Sequence, residues 1–315
     1  MGAIEGPDPG RSTGRVWPLL VAMCLIAAAC GDDRGSNPTA TTTMATTTTA
    51  TSRPPTTVAS TTTTAPPAAP PTATTNPANG PCAIEPPATG YDTGFYAKQC
   101  TVLGIPVLSS AAVADAAHHE AEAVIVGMMS QRLDLVDEMV DNGLRVGIIG
   151  LDEVTTDLPE YADLDTLFPE TDWDTRTRGV GATLFIPMSS VGEENLLCLD
   201  TDVYVGESIM VHEFAHSVRL LGIATADREL DRAIEAAFEA AVDAGRWGDT
   251  YAATNSDEYW AEAVQSYFDT NRSATPANGI HNDVDTNEEL AVYDPKIYGL
   301  IDEVFGGSSW RYACS

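Results

Sequence analysis

The sequence predicts an α+β fold for a single domain at residues 81–315. Segments with apolar residues at helical spacing alternate there with two short apolar runs of strand length. No second linker interrupts residues 81–315, and a stretch of that length can bury one sizeable hydrophobic core. We therefore expect a small sheet packed against helices, with a mainly helical C-terminal half.

Apolar periodicity locates the main elements. Helices are predicted at residues 110–129, 133–140 and 226–244, where apolar residues recur on one helical face. Short buried strands are predicted at residues 145–150 and 182–186, which are rich in β-branched and aromatic residues.

Polar and proline signals mark the remaining boundaries. Residues 152–178 are polar and contain Pro159 and Pro169, so they are predicted to form a long surface loop. Near the C-terminus, Thr286 and Glu289 match a capping box. A helix is expected to begin there and to end before Pro295.

The N-terminal residues 1–30 predict a signal peptide. Arg11 and Arg15 precede an apolar run at residues 16–29, which is too short to span a bilayer. Small residues directly before Cys30 resemble a bacterial lipoprotein cleavage site, although Ala27 stands where leucine is usual. We expect a lipid on Cys30 to anchor a cell-surface lipoprotein; simple secretion with cleavage nearby is the alternative.

Residues 31–80 predict a disordered linker. Most of this stretch is Thr, Ala and Pro, without the apolar periodicity that a buried core requires. Such a composition gives an extended tether between the leader and the domain.

The charge of the chain lies in the domain. The first 80 residues carry four basic and four acidic side chains, so the formal net charge of −30 belongs to residues 81–315. Nucleic acid is excluded as a partner, because its phosphates require a basic surface. We expect a monomer that acts on a peptide or protein and meets a membrane only through its lipid anchor.

The segment from His212 to His216 reads His-Glu-x-x-His. Histidines four residues apart share one helix face, so both imidazoles can reach a single tetrahedral zinc ion beside Glu213. Apolar residues surround this segment almost completely, which predicts a buried central helix. The two buried histidines and the buried glutamate require a metal ion or a neutralising partner, because unpaired buried charge is costly.

A catalytic zinc ion has three protein ligands and one open position, so a third donor is required. A helix that starts at Thr254 or Ser256 would place Glu258 and Glu262 on one face, at i and i+4. One glutamate would bind zinc, and the other would accept the free ring N–H of a ligand histidine. Asp257 competes with Glu258 as the ligand, and the partner one turn further on favours Glu258.

This arrangement resembles the gluzincins, and in particular the catalytic domain of anthrax lethal factor and the Pro-Pro endopeptidases. In that family a tyrosine lies seven residues before the ligand glutamate, and a second glutamate lies one turn after it. The resemblance covers roughly residues 206–269 and is faint upstream. The matching residues are His212, Glu213, His216, Tyr251, Glu258 and Glu262.

The resemblance implies a zincin-like fold and a zinc-dependent endopeptidase. It implies a small sheet against the metal helix, with an edge strand that binds extended substrate. Glu213 would be the general base, and Tyr251 would donate a hydrogen bond in the transition state. The implied zinc ligands are His212, His216 and Glu258, with Glu262 behind them. The alternatives are a non-catalytic surface binding lipoprotein that retains the zinc site, and a metal-dependent hydrolase of another amide.

Cysteines outside the leader predict disulfides. An exported domain with four cysteines favours two bridges, for which three pairings exist. We expect Cys82 to pair with Cys100, and Cys198 with Cys314. None of the four has the C-x-x-C spacing of a zinc site.

Overall fold

The computed structural model describes residues 81–311. The predicted signal peptide, the linker, the lipidation site at Cys30 and Cys314 lie outside the described residues. Residues 81–311 combine a small sheet with helices, which confirms the predicted mixture of α and β structure. Within this range no helix has both the length and the apolar character needed to cross a membrane.

Five strands of the described residues form one sheet. They are β1 (Lys98–Val102), β2 (Ile105–Ser109), β3 (Arg145–Ile149), β4 (Gly179–Val180) and β5 (Met188–Gly192). Their spatial order is β1-β2-β3-β5-β4, with the three central strands parallel and each edge strand antiparallel to its neighbour. Strands in parallel sheets are covered on both faces and are therefore apolar along most of their length.

Helices make up the regular structure of the described chain after β5. In chain order, the α-helices of the described residues are α1 (Asp115–Met129), α2 (Leu133–Asp141), α3 (Leu164–Leu167), α4 (Trp173–Arg176), α5 (Glu193–Leu196), α6 (Ile209–Ser217), α7 (Ala224–Ala226), α8 (Arg228–Asp243), α9 (Ser256–Tyr267), α10 (Asn287–Tyr293) and α11 (Pro295–Phe305). A π-helical turn at Val218–Ile223 joins α6 to α7. The helices predicted at residues 133–140 and 226–244 are confirmed as α2 and α8, whereas the helix predicted at 110–129 begins only at Asp115.

The predicted C-terminal boundary is also confirmed. The side chain of Thr286 accepts a hydrogen bond from the backbone N–H of Glu289, and α10 follows. This helix ends at Tyr293, and Pro295 then occupies the start of α11, where its missing N–H costs nothing.

Each face of the sheet has its own core. Val146 and Ile148 of β3 belong to a large core shared with the helices, whereas Ile149 belongs to a smaller one with Tyr161 and Trp173. Residues 152–178 supply Leu158, Tyr161, Leu164 and Trp173 to the smaller core, so the prediction of a surface loop there was wrong. Short helical turns in this segment bury aromatic side chains that its polar composition does not reveal.

The strand predicted at residues 182–186 was wrong. These residues form a turn in which Thr183 donates its backbone N–H to the carbonyl of Ile186 at 2.9 Å. Leu184 and Phe185 at its tip are 60% and 67% exposed. The strand lies further on, as β5, whose buried serines hide it from a search for apolar runs. The strand predicted at residues 145–150 is confirmed as β3.

Candidate metal centre

The His-Glu-x-x-His motif lies on α6, which is buried along its whole length. The side chain of Ser208 caps the helix by accepting the N–H of Val211, and Asn195 Oδ1 accepts the N–H of Ile209 at 2.8 Å. The helix packs against β4, β5 and α9. His212 and His216, one turn apart, both face α9.

The first turn of α9 carries Glu258. Its cap is Asn255, not Thr254 or Ser256 as predicted: the Asn255 side-chain oxygen accepts the N–H of Asp257 at 2.8 Å and of Glu258 at 2.9 Å. An asparagine cap satisfies N–H groups that have no partner inside the helix. The cap fixes the backbone of Glu258 opposite α6.

Three buried ligand atoms converge between the two helices. The Nε2 atoms of His212 and His216 lie 3.1 Å apart. Glu258 Oε2 lies 3.3 Å from the first and 3.4 Å from the second. Ligand atoms bound tetrahedrally at zinc distances lie about 3.3 Å from one another. The triangle therefore has the dimensions of one face of a zinc tetrahedron.

The hydrogen-bond network sets the tautomer of His212. Gln265 Nε2 donates to the carbonyl of Ser208 at 3.1 Å, which turns the amide oxygen of Gln265 towards the imidazole. That oxygen lies 2.8 Å from His212 Nδ1, so Nδ1 is the donor. In the neutral ring, Nε2 then presents its lone pair to the triangle. Glu258 Oε2, which accepts no hydrogen bond among the described residues, points to the same place.

The carboxylates around the triangle favour a positive charge at its centre. Burial lowers the pKa of His212, but the adjacent Glu258 carboxylate and the neighbouring Glu213 and Glu262 outweigh it and raise that pKa to about 10. Burial also opposes ionisation of Glu258, yet the imidazoles of His216 and His212 hold its pKa at about 2. Burial lowers the pKa of His216. Without a metal ion the cluster therefore binds a proton, and a cation held by three ligands replaces it well.

Glu262 lies behind His212 but does not make the predicted contact. Its Oε1 is 3.6 Å from His212 Nδ1, whereas the Gln265 oxygen is at 2.8 Å. Gln265 thus accepts the ring N–H in its place. Glu262 accepts a hydrogen bond from Asn271 at 3.2 Å and lies 4.0 Å from His281. Burial raises the pKa of Glu262 to about 7.

Asp257 turns away from the histidines. Its Oδ1 lies 2.8 Å from Nη1 of Arg219, a buried side chain on the π-helical turn after α6. Asp257 is therefore outside the candidate group, in which Glu258 is the carboxylate that lies against both imidazoles.

Glu213 is fully buried on the side of α6 that faces β4. A Cβ atom on Gly181 would lie 3.2 Å from Glu213 Oε2 and 2.8 Å from the Cβ of His216. A Cβ on Gly179 would lie 3.1 Å from Glu213 Cγ. The two glycines therefore let the backbone of β4 and of the residue after it approach the motif directly. Within the described residues, β4 has a sheet neighbour on one side only.

Tyr251 completes the group beside the triangle. It begins a short turn before α9, is partly exposed, and donates its hydroxyl to Glu258 Oε1 at 2.9 Å. Burial and the neighbouring Glu258 carboxylate raise the pKa of Tyr251 above its ordinary value. The phenol is therefore a hydrogen-bond donor at neutral pH.

Comparisons with known proteins add one likeness. No family model matches the chain, and no curated protein matches it. Among solved structures, the chain is similar to the Pro-Pro endopeptidase from Paenibacillus alvei over 60% of this chain and 90% of that one, with 18% sequence identity and a TM-score of 0.30. The metal centre is therefore interpreted from its own geometry.

Sequence reasoning missed three residues around the triangle. Gln265 lies seven residues after Glu258, and Arg219 lies seven after His212, so each shares a helical face with a member of the triangle. Extending the i, i+4 pattern to i+7 would have found both. Gly181 has no sequence signal, because its role depends on where β4 meets α6.

A second group of potential ligands lies elsewhere in the described residues. Cys82, His119 and Glu122 each offer one ligand atom within 4.8 Å of the others. Cys82 is bonded to Cys100, which confirms the predicted disulfide. Cys198 is also disulfide-bonded, but its predicted partner Cys314 lies outside the described residues.

Proposed function

We propose that this domain is a zinc-dependent endopeptidase with a zincin-like fold, in which His212, His216 and Glu258 hold the ion. One observation carries the proposal: three buried ligand atoms lie 3.1–3.4 Å apart, and a further buried carboxylate, that of Glu213, neighbours them on α6. Three protein ligands leave the fourth tetrahedral position open, which is the arrangement of catalytic zinc and not of structural zinc.

The surrounding residues match the requirements of peptide hydrolysis. Bound zinc supplies a Lewis acid that polarises a carbonyl and lowers the pKa of water. Glu213 takes a proton from the attacking water and delivers it to the leaving amine as the C–O bond forms and the C–N bond breaks. Tyr251 donates a hydrogen bond to the developing oxyanion, a contribution of about 3 kcal/mol for such donors.

The edge strand β4 supports a peptide as the substrate. Within the described residues no further strand pairs with its outer side, although Gly179 and Val180 are buried, and the backbone at Gly179 and Gly181 lies directly against Glu213 and His216. An extended peptide can add to such an edge through main-chain hydrogen bonds. This placement would bring a backbone carbonyl beside the metal centre, whatever the peptide's side chains.

Metal analysis combined with a peptide-library digest tests the proposal. We expect about one zinc ion per purified chain, and cleavage that a chelator abolishes and added zinc restores. Glu213→Gln should retain zinc and lose at least 100-fold in kcat/KM, the scale of a general base. Glu239→Gln, an exposed glutamate on α8, is the matched control and should behave as wild type. Tight zinc binding with no cleavage of any peptide would instead support the binding protein.

We also propose that the protein is exported and anchored through a lipid on Cys30. The leader composition supports export, and so does the Cys82–Cys100 disulfide, because such bonds persist in oxidising compartments. Mass spectrometry of the mature N-terminus should show a lipid-modified Cys30. In Cys30→Ser the protein should leave the membrane fraction. An unmodified N-terminus at another residue would establish simple secretion.

A further inference from the structure

Arg219 is a buried cation close to the metal centre. It lies in the π-helical turn Val218–Ile223, three residues after His216, and its side chain is only 3% exposed. Counting from His212, the positions 212, 216 and 219 are spaced i, i+4 and i+7, which places Arg219 on the helical face of the two ligands. π-helical turns inside longer helices are frequent at functional sites.

Three carboxylates from two helices surround Arg219, including Glu235 Oε1 of α8 at 3.9 Å from Nη2. Its Nε donates to Asp231 Oδ1 of α8 at 3.2 Å, and its Nη1 lies 2.8 Å from Asp257 Oδ1 of α9. A buried guanidinium requires such partners, because unpaired charge in the interior is costly. The planar fork of arginine can bind both acids at once, which the single ammonium of lysine cannot reproduce.

The contact with Asp257 acts on the third ligand. Asp257 directly precedes Glu258 in the first turn of α9, and Asn255 caps the same turn. One end of this turn is therefore held by the cap, and the Asp257 side chain is held by the extension of the metal helix. Since all three ligand atoms are 3.1–3.4 Å apart, a small rotation of the turn would move Glu258 Oε2 out of the triangle.

We propose that Arg219 is a positioning residue for the metal centre: through Asp257 it fixes the start of α9 so that Glu258 meets the two histidines of α6. The inference rests on the proposed metal site. It assigns to Arg219 an effect on metal affinity that does not depend on contact with substrate. Asp231 and the more distant Glu235 tie the same guanidinium to α8, away from the ligands.

The two acids provide a matched pair of variants. Asp257→Asn and Asp231→Asn each remove one carboxylate from Arg219, but only the first changes the residue that adjoins Glu258. We expect zinc affinity to fall 10- to 100-fold in Asp257→Asn and in Arg219→Met, the range for residues that orient metal ligands. Asp231→Asn should stay within about threefold of wild type, and Arg219→Lys should lie between.

The measurements are the zinc dissociation constant of the metal-free chain, by competition with a chromogenic chelator, and the visible spectrum of the cobalt form. A displaced Glu258 should weaken the tetrahedral cobalt bands in Arg219→Met and Asp257→Asn. A purely structural role would lower the unfolding temperature of the metal-free variants and leave both readouts at wild-type values, which would overturn the inference. Should Arg219→Met fail to fold, Asp257→Asn and Arg219→Lys decide the same question.

The outcome is separable from the proposed activity. Wild-type chain that binds zinc but cleaves no peptide would overturn the endopeptidase, while the affinity series would still decide the role of Arg219. Active enzyme with unchanged affinity across the series would overturn only the positioning role. Absence of zinc binding in the wild type would overturn both.

Discussion

Two clusters in the described residues bring three ligand-type side chains within 4.8 Å of one another, and they differ in burial and in whether each ligand-type atom is free to bind a metal. In the α6–α9 cluster, all three residues are buried. In the other, Cys82 is bonded to Cys100, and the side chain of His119 is 39% exposed.

The difference shows that residue type and proximity do not make a metal centre. The disulfide removes the thiolate that would bind a metal, and Glu122 already accepts the backbone N–H of Cys82 at 2.8 Å. In the α6–α9 cluster, by contrast, no ligand-type atom is covalently blocked, and the Nε2 atoms of His212 and His216 and Glu258 Oε2 all face one point. Gln265 and Tyr251 occupy the outer side of His212 and Glu258, respectively.

The two clusters should differ most in how much zinc affinity is lost when one carboxylate is removed from each. We expect Glu258→Gln to weaken zinc binding at least 100-fold, because structural zinc affinity is about 10–16 kcal/mol shared among its ligands. Glu122→Gln, the matched change in the other cluster, should leave zinc affinity unchanged. Isothermal titration of the metal-free variants with zinc measures both. Equal losses in the two variants would contradict the distinction between the clusters.

Removal of the Cys82–Cys100 disulfide should lower the stability of the fold and leave zinc affinity unchanged. In the double variant Cys82→Ser, Cys100→Ser, the lost link spans 18 residues. Chain-entropy arguments give about 3 kcal/mol of lost stability for a loop of that size. Urea unfolding of the metal-free chain should show this loss, while zinc affinity stays at the wild-type value. A loss of zinc affinity here would mean that the two regions are coupled through α1.

The prediction from sequence succeeded where local patterns decide the structure. The motif helix, the ligand helix and the Cys82–Cys100 bridge depend on spacing within a short segment. It failed for β5 and for residues 152–178, where burial comes from distant parts of the chain. Buried serines in a strand and aromatic residues in a polar segment have no local signature of their position.

The same distinction explains the errors within the site. The i, i+4 spacing correctly predicts that Glu258 and Glu262 share one helical face, but it does not show which residue of α9 contacts His212. The packing of α9 on α6 places Gln265, not Glu262, against His212. The choice between Asp257 and Glu258 likewise depends on Arg219, which the sequence pattern does not connect with α9.

Gln265 tests whether outer partners help to build the metal centre. We expect Gln265→Met to weaken zinc binding 10- to 100-fold, because His212 loses the acceptor that holds its Nδ1–H. Gln265→Glu retains an acceptor at that position and should recover most of the affinity. Competition with a chelator measures both variants. Wild-type affinity in Gln265→Met would show that the packing of α6 alone sets the tautomer of His212.

The smallest effect is expected at His118, the residue before His119 on α1. Its side chain is buried, with Nε2 3.3 Å from Ser109 Oγ, and burial lowers its pKa from 6.5 to about 4. Between those values the unfolded chain binds a proton that the folded chain does not. His118 therefore costs almost no stability above pH 6.5 and destabilises the fold by about 3 kcal/mol as the pH drops to 4.

A comparison at two pH values isolates this contribution. His118→Gln removes the titrating group, so the variant escapes that part of the acid destabilisation and its stability deficit relative to wild type should shrink between pH 7 and pH 4.5. Urea unfolding of the metal-free proteins measures the deficit. His281, whose pKa burial also lowers to about 4, titrates in both proteins and cancels in the difference. A deficit that is the same at both pH values would show that His118 titrates normally in the folded chain. Water would then reach the α1 region, in contrast to the buried α6–α9 cluster.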